Sequence, residues 1–298
     1  MSDPGANAAA SIRARLLDLA KARGEDFNLT LNRYATERWL YRLSQSTWRE
    51  QFLLKGALLF DLWFDEPHRP TRDADFLGFG TDNEKQLAGI IAGVCSISAD
   101  DGMSFDTGSI SIDEIREEAR YGGRRVHLTG GLDSARCSVQ LDVGYGDAVT
   151  PGPEEATYPT LLETLPAPRL RVYPRATVLA EKFEAIVSLG MANTRLKDYF
   201  DLKALVREGR LEAEPLGMAI AATFQRRGTA LPQGIPVGLS DAFAKDAAKL
   251  RQWSAFLERN RLVAPALADV IAELRSFMTE PLQAARAQDE KPPGIKST

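Results

Sequence analysis

The sequence predicts a strand-bearing α/β lobe followed by a mostly helical lobe. Three observations support this. Short apolar runs with period-two alternation are confined to the first half of the chain. Apolar residues at helical spacing fill the second half, and a proline-rich stretch lies between the two. The chain has 298 residues, 44% of them hydrophobic, enough for one large core or two modest ones.

Taken in order, the first residues are small and polar and are expected to be disordered. Residues 9–22 place Ile12, Leu16, Leu17 and Leu19 at helical spacing, and residues 30–43 do the same with Leu31, Tyr34, Ala35, Trp39 and Leu43. Residues 52–64 start as a short buried strand and turn at Lys55-Gly56 into a helix carrying Leu58, Leu59, Leu62 and Trp63. A charged, proline-bearing loop (65–72) leads to a strand beginning at Asp73, after which Asp82 is placed to cap a helix running to about Ile97. Val126 and Leu128 alternate, as do Val139, Leu141 and Val143, so these runs read as paired strands with Gly130-Gly131 between them. The proline-rich stretch (150–174) is the expected domain boundary. Helices are expected over 176–189, 196–206, 216–225, 241–260 and 265–285, with Pro265 at a first helical position. The division expected is a first lobe over 1–165, a helical lobe over 166–286 and a disordered tail over 287–298.

Charge and composition narrow the function classes. There are 37 basic and 41 acidic residues, a net charge of −4, which argues against broad coating of nucleic acid but leaves room for a local basic groove. Cys95 and Cys137 stand among small apolar residues with no Cys-x-x-Cys or Cys/His cluster, so they read as reduced core thiols. His68 and His127 are too scattered for a histidine-based metal site. No apolar run approaches the ~18 residues of a membrane span, and the N-terminus lacks a signal-peptide pattern. A soluble cytoplasmic protein with no membrane partner is expected.

The sharpest local feature is Asp73-Ala74-Asp75-Phe76. On a strand, alternate residues share a face, so both carboxylates project together and repel unless a cation sits between them. Asp142 interrupts the apolar run Val139–Val143 and is a third acid of the same kind. Mg²⁺ or Mn²⁺ prefers such hard oxygen ligands, and two ions about 3.5–4 Å apart can be shared by three acids. Taken alone, Asp-x-Asp at a strand end is more often an ordinary surface pair. Gly56, at a strand-to-helix turn, would let backbone N–H groups approach a phosphate; by itself it is equally a plain tight turn.

Several segments, in order, resemble the AbiEii/MenT-like nucleotidyltransferase toxins of prokaryotic toxin–antitoxin systems. They are Leu54-Lys55-Gly56-Ala57-Leu58, Arg69-Pro70-Thr71-Arg72-Asp73-Ala74-Asp75-Phe76, Gln140-Leu141-Asp142-Val143, Ala180-Glu181-Lys182-Phe183-Glu184-Ala185 and Arg195-Leu196-Lys197-Asp198-Tyr199-Phe200-Asp201-Leu202. The resemblance spans about residues 30 to 205. It implies an α+β or α/β fold with a polymerase-β-like nucleotidyltransferase core on a mixed sheet. It implies metal ligation by Asp73, Asp75 and Asp142, with Asp142 helping to activate the acceptor hydroxyl. Lys55, Gly56, Ala57, Arg72 and Lys182 would bind the NTP, and Asp198 would support catalysis or hold Lys182 in place. Gly56-Ala57 stands where the fold usually carries Gly-Gly or Gly-Ser, from which altered nucleotide affinity is expected.

The resemblance further implies transfer of a nucleoside monophosphate to the 3′ end of tRNA, with a cognate antitoxin encoded nearby. Arg169, Arg171 and Arg175 alternate with apolar residues near the lobe junction and are candidate acceptor contacts; charges that keep an edge strand soluble are the competing explanation. A protein or small-molecule acceptor, or a non-catalytic NTP-binding module, are the alternative functions.

Overall fold

The computed structural model describes residues 4–64, 68–115 and 122–289. The loop expected at 65–72 and the tail at 287–298 lie partly outside these residues, and the start of the chain is described only from residue 4. Two compact units are formed, one from residues 1–146 and 154–172, the other from 147–153 and 173–298.

The first unit carries every described strand. Helices α1 (Pro4–Arg23) and α2 (Phe27–Gln45) precede β1 (Phe52–Lys55), a 3₁₀ turn (Gly56–Leu59) and the short α3 (Phe60–Trp63). Next come β2 (Asp73–Gly78), α4 (Glu84–Cys95), β3 (Met103–Ile115), β4 (Gly123–Leu132), β5 (Ala135–Tyr145), β6 (Glu154–Thr157) and β7 (Arg169–Val172). They form one mixed seven-stranded sheet in the order β3-β4-β5-β2-β1-β7-β6. The β2–β5 and β1–β7 pairs are parallel and the other pairs antiparallel. The fold is α+β, as expected.

The α2 stripe read from the sequence is the one that is buried: Leu31, Tyr34, Ala35, Trp39 and Leu43 are all at or below 2% exposure. Trp39 meets Phe76 of β2 edge-on at 5.8 Å between ring centres, and Phe52 of β1 meets the same ring at 5.9 Å. Burial of the apolar side of β2 against α2 therefore forces Asp73 and Asp75 to the opposite face. The same helix buries Arg42, which the apolar pattern gave no reason to expect; its guanidinium makes two bonds to Asp101, at 2.6 and 3.0 Å.

Local expectations fail where a side chain competes for the backbone. Asn83, not Asp82, caps α4 by accepting from the Gln86 N–H, while Asp82 takes Arg124 at 2.7 Å. The β4–β5 turn is Asp133-Ser134 and not Gly130-Gly131, which lie inside β4 paired with Cys137 and Arg136. Asp133 adopts φ +53°, a conformation that Asp tolerates better than most residues with a Cβ. Strand β3 has no clean alternation and is missed by pattern reading.

The second unit is helical: α5 (Arg175–Leu189), α6 (Leu196–Glu208), α7 (Ala213–Arg227), α8 (Asp241–Lys245), α9 (Ala247–Asn260) and α10 (Leu267–Asp289). The single helix expected over 241–260 is broken at Asp246, whose extended backbone ends α8 while its carboxylate caps α9 through the Ala248 and Lys249 N–H groups. Pro265 falls before α10, and its carbonyl accepts from the Trp253 indole at 3.1 Å. Phe183 of α5 against Phe224 of α7, and Tyr199 of α6 against Phe243 of α8, anchor the core. Cys95 and Cys137 are buried free thiols, each pushed up to about 11 by desolvation. Among the described residues no helix is long and apolar enough to cross a membrane.

Candidate active site

The site is written into the strand register. Lys55 on β1 lies opposite Asp75 on β2, Asp75 lies beside Asp142 on β5, and Asp142 lies opposite Arg125 on β4. One row across four strands thus reads base, acid, acid, base. Asp73 is one step along the same face of β2, opposite Gln140. The residues between them, Ala74, Phe76, Leu141, Val143 and Val126, are buried on the other face. Apolar burial on one side of the sheet is what drives the charges together on the other.

One oxygen from each of Asp73, Asp75 and Asp142 lies within 4.8 Å of the others. All three are half-buried, and the donor set is purely carboxylate oxygen, with no cysteine or histidine in the group. That chemistry suits Mg²⁺ or Mn²⁺ and not a zinc centre. Local bonds orient the ligands: the Thr71 hydroxyl donates to Asp73, and the Gln140 amide donates to Asp142 at 3.2 Å.

Gly56 explains why a glycine follows β1. Its φ is +74°, and a Cβ there would lie 2.0 Å from the Asp75 Oδ2. The Asp75 carboxylate occupies the space a side chain would need. Gly56→Ala should therefore displace Asp75, lower transfer activity on the order of 10²-fold and cost about 1–3 kcal/mol from the left-handed backbone. Rate and thermal midpoint measured together would check this; a near-wild-type rate would show that Asp75 tolerates the shift. Ala57 is buried, at 9% exposure, so its methyl presents little surface to a ligand.

Beside Asp73 opens a cavity of about 290 Å³ lined by, among others, Asn32, Arg33, Asp61, Arg72 and Tyr158. The Tyr158 hydroxyl donates to Asp61 at 2.8 Å, and burial holds that phenol well above its usual range. Glu37 also lines it; its carboxyl is raised by burial, although Arg38 and the Leu161 N–H pull the other way. The sequence gave no sign of this cavity, because its walls come from α1, α2, α3 and the segments before β2 and after β6.

Arg125 was also missed. Its Nε donates to Asp142 Oδ1 at 2.9 Å and its Nη2 to Oδ2 at 2.6 Å, a two-pronged pairing. The bonds to Asp142 raise Arg125 above its ordinary value, with Asp73 and Asp75 adding to the field. A correct turn assignment would have found it: counting seven residues back from Leu132 and seven on from Ala135 sets Arg125 against Asp142.

Lys182 and Asp198 belong to the helical unit, and there they meet. Lys182 Nζ donates to Asp198 Oδ1 at 2.9 Å and to Asp201 Oδ2 at 2.7 Å, and Arg195 donates to Asp198 at 2.8 Å. Both aspartates are fully buried. Burial raises the Asp198 carboxyl, but Lys182 and Arg195 outweigh it and leave it below its ordinary value. Asp201, assigned no role from the sequence, is an equal partner of the lysine. The flanking Glu184 binds Arg227 at 3.0 Å, so the charged positions of α5 are largely committed within their own unit.

The three candidate acceptor arginines separate. Arg169 and Arg171 share one face of β7, but β7 is not an edge strand, because β6 pairs outside it. Arg171 donates to the Glu50 carbonyl at 2.6 Å, whereas the Arg169 side chain is 74% exposed and 3.4 Å from Glu155. Arg175 opens α5 in the other unit and makes two bonds to Glu208.

A carboxylate trio of this geometry on a mixed sheet could hold the metal that transfer of a phosphoryl or nucleotidyl group uses. The sequence profile described as nucleotidyl transferase AbiEii toxin, type IV toxin–antitoxin system, matches residues 38–283, well over half of the chain, and the chain belongs to that family. Among solved structures, JHP933 from Helicobacter pylori is similar at 16% identity and a TM-score of 0.47, covering 87% of this chain and 94% of its own. A second Helicobacter pylori structure, described as a candidate nucleotidyltransferase, is similar at 16% identity and a TM-score of 0.47, covering 88% and 98%. No curated protein matches the chain.

Proposed function

We propose that this protein is a cytoplasmic, metal-dependent toxin that moves a nucleoside monophosphate from an NTP to the 3′ end of tRNA, halting translation until a cognate antitoxin neutralises it. The observation that carries the reading is the Asp73, Asp75 and Asp142 trio, with oxygens within 4.8 Å of one another. Family membership supports the reaction class; the tRNA acceptor and the antitoxin come from the sequence resemblance.

When bound, Mg²⁺ or Mn²⁺ supplies Lewis-acid neutralisation of the phosphate oxygens. The residues of this chain do the positioning. Lys55, the Gly56 turn and Arg72 receive the triphosphate, and the cavity beside Asp73 takes the nucleoside. The acceptor hydroxyl oxygen bonds to the α-phosphorus, the bond to the pyrophosphate oxygen breaks and pyrophosphate leaves, and the hydroxyl proton passes to the Asp142 carboxylate and from there to solvent. Arg169, on β7 beyond Lys55, has the more open side chain of the two β7 arginines and could meet only a part of a long acceptor remote from the attacking hydroxyl.

The test is incubation of the purified protein with Mg²⁺, total tRNA and each α-labelled NTP in turn, beside Asp73→Ala. Label entering RNA from one or two of the NTPs, and lost in the variant, is the expected result. Label on protein would replace the RNA acceptor with a protein one. Bound NTP with no transfer would leave a non-catalytic binding module.

A further inference from the structure

We propose that Arg125 is an acceptor-side positioning residue: it neutralises Asp142 until a divalent cation takes that carboxylate, and it then holds a phosphate of the acceptor nucleic acid. The proposal deepens the transfer reading above and rests on it.

The row Lys55, Asp75, Asp142, Arg125 sets the argument. Three carboxylates this close repel one another, and a flanking cation is the simplest way to keep them together before metal arrives. Arg125 meets both Asp142 oxygens, the atoms a cation would need. The pair is open to solvent on one side: the Arg125 side chain is 40% exposed, whereas Asp142 is 12% exposed. A cation that takes Asp142 can therefore displace the guanidinium toward solvent, with Gln140 still orienting Oδ1 at 3.2 Å.

The freed guanidinium keeps a fork of donors whose geometry fits a phosphate as well as a carboxylate. Its place in the row decides which phosphate. The triphosphate elements, Lys55 and the Gly56 turn, belong to β1, and the nucleoside cavity reaches Asp73. Arg125 stands at the opposite end, on β4, with Asp75 and Asp142 between it and Lys55. A phosphate beside the attacking hydroxyl is the one within its sector, and a nucleic-acid acceptor supplies such a phosphate.

Three measurements on the full chain test this, using Arg125→Gln and Arg125→Lys. Free Mn²⁺ followed by electron paramagnetic resonance, without nucleotide, should show tighter binding in Arg125→Gln by about three- to tenfold, with Arg125→Lys near wild type. Binding of tRNA should weaken in Arg125→Gln, and the slope of log affinity against log salt should fall by about 0.7, one phosphate contact on a single strand. In transfer assays KM for tRNA should rise while KM for NTP stays within about twofold, the separation expected when one substrate's binding contact is lost. A merely structural role would not tighten metal binding. Unchanged Mn²⁺ affinity, or a rise in KM for NTP in place of tRNA, would overturn the proposal. If the wild type transfers nothing to RNA, the transfer reading fails, and the Mn²⁺ titration still decides whether Arg125 competes with metal for Asp142.

Discussion

Asp75→Asn is expected to lower nucleotide transfer by at least about 10²–10³-fold while leaving the thermal midpoint nearly unchanged. Asparagine keeps the shape that fits over Gly56, where a Cβ would come within 2.0 Å of Oδ2, so the packing survives. What is lost is one negative charge from the centre of the row, between Lys55 and Asp142. A divalent cation then has two carboxylates to bind in place of three, and the remaining amide oxygen is a weaker ligand. Raising Mn²⁺ should recover part of the rate, because the defect is in ion affinity. In cells, induction of the wild type should arrest growth and induction of the variant should not. A variant that keeps its rate within tenfold at low Mg²⁺ would show that the trio is not the metal centre.

The largest effect on stability is expected at Lys182. Lys182→Met removes the cation shared by Asp198 and Asp201, both fully buried, and leaves Arg195 as the cation paired with Asp198. Breaking a buried pair from one side costs about 3–5 kcal/mol, equivalent to a fall of roughly 10 °C in the melting midpoint for a domain of this size. Adding Asp201→Asn should return part of the loss, since it removes one of the two buried negative charges that Lys182 balances. The pH dependence follows from Asp198. Its carboxyl lies below the unfolded value of 3.8, so its contribution is complete above that value and is lost as pH falls through the folded one. The gap between wild type and variant, followed by calorimetry, should be widest near neutral pH and narrow as pH falls, because burial without Lys182 lets the variant's carboxyl take up its proton first. If Lys182 serves only the helical unit, Lys182→Arg will restore both midpoint and rate; a restored midpoint with a depressed rate would assign the lysine a part in transfer.

Much of the site was open to reading because its chemistry is local. Asp73 and Asp75 are two residues apart on one strand, and Asp142 stands out as the acid in an apolar run. Lys182 and Asp198 were named as partners through the family resemblance, and the two atoms do meet. Asp201 could have been added from helical spacing, since it lies one turn from Asp198. Arg125 was lost with the β4–β5 turn, because an incorrect hairpin register moves every partner along the strand.

Hydrophobic period and side-chain alternation are properties of neighbouring residues, and they set most helices, the central strands and which face of β2 and β5 carries acids, but not the unalternating β3 or the break at Asp246. Closure of the sheet is a different matter. That β2 and β5, far apart in the chain, lie side by side in parallel is decided by burial of both apolar faces together, a gain realised only when distant segments meet. The 4.8 Å grouping of the three carboxylates, the fork of Arg125 on Asp142 and the cavity beside Asp73 all follow from that closure. None has a signature in any short stretch of residues, because each is made of side chains that only the folded chain brings within reach of one another.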